Sequence, residues 1–85
     1  MEQKDLNKSA MKYYSLFIKD AESPPARFGK SVYIQRKHHE RISQIVHVIG
    51  NSEITLYDYI DNVLTQHFKN YNEEITHSFH IRKMY

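Results

Sequence analysis

Hydrophobic residues in this chain fall into three patterns, and each predicts a different element. Between Lys30 and Gln35 they alternate: Val32 and Ile34 share one face, while Ser31, Tyr33 and Gln35 share the other. That period of two predicts a short strand. From Ile42 the period lengthens. Ile42, Ile45, Val46 and Ile49 recur at i, i+3, i+4 and i+7, the buried stripe of a helix that stops at Gly50-Asn51. A second helix is predicted after Thr55, an N-cap with Asp58 three residues on as an acidic variant of the capping box. It runs to about Glu74. Leu56, Ile60, Val63, His67 and Tyr71 lie along one face, with Tyr59, Leu64 and Phe68 beside it.

The flanks are less regular. Residues 1–28 are expected to be a flexible arm and linker. Tyr13–Ile18 is apolar but too short to stand alone as a helix, and Ser23-Pro24-Pro25 breaks both helix and sheet. The domain proper is then 29–75. Residues 76–85 form a C-terminal extension in which Phe79, Ile81 and Tyr85 either prolong the second helix or pack back on a dimer.

Length turns this pattern into a statement about assembly. A chain of 85 residues without cysteine has no disulfide or thiolate metal site to staple it. At this size only about 60–65% of the unfolded surface is buried. Oligomerisation is the remaining remedy, and a lone strand with one greasy face needs a second strand. The expected fold is therefore mainly α, with one strand per chain pairing antiparallel in an intertwined homodimer. Its core would be Val32, Ile34, Ile42, Ile45, Val46, Ile49, Leu56, Ile60 and Val63.

Charge sharpens the functional expectation. The net value is only +2, yet residues 27–41 carry Arg27, Lys30, Arg36, Lys37 and Arg41 against Glu40 alone. Residues 53–74 carry Glu53, Asp58, Asp61, Glu73 and Glu74 against Lys69. A helix-turn-helix would insert its second helix in the major groove. Here that helix is acidic, and the sign is wrong for phosphates. A basic two-stranded ribbon on a helical base passes the same test.

Val32-Tyr-Ile-Gln35, the following helix stripe, Gly50 and the capped longer helix resemble the ribbon-helix-helix fold of the MetJ/Arc type. More narrowly, Gly29-Lys-Ser-Val-Tyr-Ile34, His39-Glu-Arg-Ile-Ser-Gln-Ile-Val46 and Tyr59-Ile-Asp-Asn-Val-Leu-x-x-His-Phe68 are similar to small uncharacterised proteins of conjugative transposons in Bacteroides-type bacteria. The resemblance covers roughly residues 13–75, and the loop Gly50–Ile54 is longer than many members of the fold use. It implies sequence-specific binding of double-stranded DNA, for regulation, maintenance or transfer of a mobile element. Ser31, Tyr33 and Gln35 would then face the bases, where a glutamine amide can pair bidentately with adenine. Lys30, Arg36 and Lys37 would clamp phosphates, and the amides near Ile54 and Thr55 would offer a further anchor.

Other chemistry finds little support. His38 and His39 are adjacent, and His77 and His80 have i, i+3 spacing with Glu73 and Glu74 a turn earlier, but nothing completes a metal site. No phosphate loop or nucleophile with its base is present, so neither a cofactor nor enzymatic activity is expected. With no long apolar run and no signal-peptide core, the chain is expected to be cytoplasmic and off the membrane. The alternative function is a protein-interaction module of a transfer or partition complex, engaging its partner through the ribbon or Tyr13–Ile18.

Overall fold

The computed structural model describes residues 2–83, as three helices, two short helical turns and connecting segments. Helix α1 spans Glu2–Phe17, a single 3-10 turn covers Ala26–Phe28, α2 spans Arg36–Gln44, and α3 spans Leu56–Lys83. The end of α2 widens into a π turn over Ile45–Ile49, closed by Gly50 N–H donating to the Ile45 carbonyl at 3.0 Å.

Among the described residues there is no strand, and the ribbon-helix-helix expectation is overturned by that finding. Residues 30–35 do run extended, and Gln35 has φ −62° and ψ 145°. No second edge pairs with them, however. Val32 is 82% exposed and Ile34 41% exposed, so neither belongs to a core.

The physical reason lies at the other end of the chain. In place of an arm, α1 forms a 16-residue helix, and its last turns supply the apolar surface that a strand-paired partner was expected to bring. Ile18, Val46, Ile54 and Tyr59 are the buried centre, with Tyr13, Phe17, Ile42, Ile45, Leu56 and Val63 packed against them. Much of the core assigned to a dimer is therefore the chain's own core. Ile60 is half-buried and Ile49 stays exposed. The ring of Phe17 lies 5.0 Å from Tyr13 and 6.3 Å from Tyr59, tilted arrangements that aromatic pairs favour.

Two local devices set the turn between α2 and α3. Asn51 and Ser52 take φ of 53° and 59°, the left-handed region that asparagine tolerates better than most residues. Gly50 has an ordinary φ of −82° but a crowded surround. A Cβ there would lie 2.6 Å from the Val46 carbonyl oxygen and 3.1 Å from Ile54 Cγ1, so glycine is required by close approach.

Helix α3 is 28 residues, about 42 Å at 1.5 Å per residue. It continues through the segment where the sequence left two outcomes open, so Phe79 and Ile81 prolong the helix, while Tyr85 lies outside the described residues. Tyr71, at φ −119° and ψ 16°, kinks it. No helix among the described residues is long and apolar enough to cross a membrane.

Candidate nucleic-acid interface

The basic segment begins where the linker is released from α3. Before that point the chain is fastened along the first two turns of the helix. Asn62 is 5% exposed and donates from Nδ2 to the carbonyls of Phe17 (3.0 Å) and Lys19 (2.8 Å). Ala21 N–H donates to Asp58 Oδ1 at 3.0 Å, Ser23 Oγ donates to Asp61 Oδ2 at 2.8 Å, and Tyr57 Oη donates to the Pro24 carbonyl at 2.6 Å. The acids of α3 thus hold the linker, a use that their charge alone did not reveal.

From Arg27 to Arg41 every residue is exposed. Arg27 lies over the Phe28 ring, 4.9 Å from its centroid. Tyr33 is fully exposed, and Ser31 and Gln35 are exposed beside it. Lys30, Arg36 and Lys37 also face water. Among the described residues the one ion pair is Lys19–Glu22 at 4.0 Å, so the cations of this segment have no carboxylate partner. On α2, Ile42 and Ile45 turn inward, while Lys37, Arg41 and Gln44 follow one another at i, i+4 and i+7 along the outer face. Gln44 was not singled out from sequence, although its spacing from Lys37 and Arg41 carried the signal.

The start of α3 differs from its expected role as a phosphate anchor. Ile54 is buried in the core. The Thr55 amide already donates to Asp58 Oδ2 at 3.0 Å, and the Asp58 amide donates to Thr55 Oγ1 at 3.1 Å, a reciprocal capping box. Burial works against the charged carboxylate of Asp58, but bonds from Thr55 and Ala21 outweigh it and hold its pKa below the ordinary value. The Thr55 amide is therefore already taken by the chain's own carboxylate.

Behind the segment, the hydroxyls of Tyr13 and Tyr59 share a short hydrogen bond at the α1–α3 contact. Burial, and then that bond, push the Tyr13 hydroxyl well above its ordinary pKa, so it stays protonated as part of the packing. No three His, Asp or Glu side chains among the described residues gather as metal ligands.

A family model matches residues 1–82. The chain belongs to that family, DUF3408, described as a protein of unknown function. Its match runs through α1, so the N-terminal helix belongs to the unit that DUF3408 proteins share. No curated protein and no solved structure matches the chain.

Proposed function

We propose that this DUF3408 protein binds double-stranded DNA through the exposed basic segment Arg27–Arg41, without strand pairing. The outer stripe of α2 and the extended residues before it would meet the duplex. The observation that carries this reading is a run of five cations with no carboxylate partner among the described residues, next to exposed Tyr33 and Gln35. Arg36 and Lys37 occupy the first turn of α2, where the helix dipole disfavours cations. A polyanion offsets that penalty. Lys37, Arg41 and Gln44 add a line of phosphate-seeking and amide groups along one helix face. Regulation, maintenance or transfer of a mobile element is the role that the sequence resemblance implies for such a binder.

Titration against a duplex at two salt concentrations tests the reading. Neutralising about three to five phosphates gives a log–log salt slope of about −2.7 to −4.5, so affinity falls roughly 40- to 500-fold between 50 and 200 mM salt. The pair Arg36→Glu and Lys37→Glu makes that slope shallower by about 2, whereas Tyr33→Ala and Gln35→Ala change discrimination between duplex sequences. Folded protein that binds no duplex at 50 mM salt would overturn the proposal. Exposed Phe28, Val32 and Ile34 in the same segment favour the second reading, docking of a protein partner, in that event.

A further inference from the structure

From its third turn onward, α3 carries an apolar stripe that the rest of the chain leaves uncovered. Leu64, Phe68, Tyr71 and Phe79 are exposed, Phe68 by 54% and Phe79 by 66%, and Ile75 lies half-buried among them. Their spacings of 4, 3, 4 and 4 residues keep to one helical seam of the kind that pairs with another helix. We propose that a second copy of this chain covers the stripe, with the two α3 helices antiparallel and a two-fold axis between Tyr71 and Asn72. The proposal does not rest on the DNA reading.

Three observations single out this occupant and this orientation. The stripe is nearly palindromic about that axis, which brings residue i level with residue 143 − i of the other copy. Leu64 then faces Phe79 and Phe68 faces Ile75, four apolar side chains in matched pairs, while Tyr71 comes level with Asn72 beside the axis. The kink at Tyr71 sits beside the axis and falls at the same level in both copies. Charge selects the direction. The helix starts with Asp58 and Asp61 and ends with His80, Arg82 and Lys83. Antiparallel pairing brings Asp61 level with Arg82 and opposes the two helix dipoles, whereas parallel pairing sets like charge against like.

The area is sufficient. Taking roughly 200 Å² for a free aromatic side chain, the stripe exposes on the order of 450 Å² per copy. Two copies with their flanks bury about 1,000 Å², the lower bound of a specific interface. A patch of this size on a soluble chain ordinarily marks an interaction surface.

Sedimentation equilibrium of the full chain over a concentration series gives the first test, with a mass twice that of the chain expected. Phe68→Glu changes an exposed residue, so helicity by circular dichroism stays at the wild-type level. Because the side chain is lost from both copies, the dimer dissociation constant rises about 100-fold. Orientation is read by oxidation, since the chain has no cysteine of its own. Tyr71→Cys crosslinks to itself. Leu64→Cys does not, but does so when mixed with Phe79→Cys. A monomer at every concentration overturns the proposal, and so does a Leu64→Cys chain that crosslinks efficiently to itself, the mark of parallel pairing. A dimer whose dissociation constant is unchanged by Phe68→Glu overturns it too.

Discussion

Replacing Asn62 by alanine tests how α1 is held to the rest of the molecule. The amide nitrogen donates to two carbonyls, Phe17 at 3.0 Å and Lys19 at 2.8 Å, just where α1 ends and its last carbonyls lack helical partners. Each hydrogen bond contributes about 1 kcal/mol net, and a buried acceptor left alone costs about 1–3 kcal/mol. Truncation opens a path for water to one of the two carbonyls, so the expected loss is about 2–3 kcal/mol. In a domain of this length that lowers Tm by about 10–20 °C. Urea denaturation followed by circular dichroism measures it, at one fixed protein concentration because self-association would contribute. Asn62→Asp is the sharper variant. A carboxylate facing two carbonyls cannot donate, so its folded pKa rises above the unfolded value. Its deficit relative to wild type is small below about pH 4 and grows as pH rises through the folded pKa. A loss under about 0.5 kcal/mol for Asn62→Ala, the range of ordinary surface changes, would refute this account of the α1–α3 junction.

Three further outcomes follow from the turn between α2 and α3 and from the cap that ends it. Gly50→Ala forces a Cβ to within 2.6 Å of the Val46 carbonyl oxygen, which is backbone and cannot swing aside; a destabilisation of about 1–3 kcal/mol is expected in the same urea assay, and a neutral result would contradict the packing. Thr55→Ala removes one arm of the capping box at a cost of about 1 kcal/mol. Because the Asp58 pKa is lowered by folding, its contribution is present above the unfolded value of about 3.9 and is lost as pH falls through the folded value. Asp58→Asn flattens that acid limb of the stability–pH curve; an unchanged limb would mean another carboxylate is responsible.

Periodicity carried the helices well. The stripe from Ile42 through Val46 and the Thr55 cap were both visible as spacing, because a helix writes its buried face every three or four residues. The strand was not visible in the same sense. Alternation at Val32 and Ile34 is compatible with an extended, unpaired segment, and only a partner edge makes it a strand. The sequence also offered no local sign that α1 would dock. Tyr13, Phe17 and Ile18 are too few to predict a helix, and their burial depends on a surface of α3 far away in the chain. Asn62 carried the best missed clue. An asparagine between Ile60 and Val63, in a helix interior where it is a poor former, implies a bond made elsewhere. For the basic segment, composition was sufficient to find Arg27, Lys30, Arg36, Lys37 and Arg41. Helix α2 then arranges Lys37 and Arg41 in line with Gln44.

The π turn at Ile45–Ile49 bears on how the chain tolerates change in length. Closing hydrogen bonds across five residues rather than four, it stores one residue beyond what α-helical winding requires, and it does so at the edge of a tight, crowded corner. Loss of a single residue from this turn would be absorbed as ordinary helix, with the corner and everything after it left in place. Elsewhere in α2 or α3 the same deletion would swing each later side chain about 100° around its axis. Among relatives of this protein, a one-residue gap is therefore expected here before anywhere else in the helices.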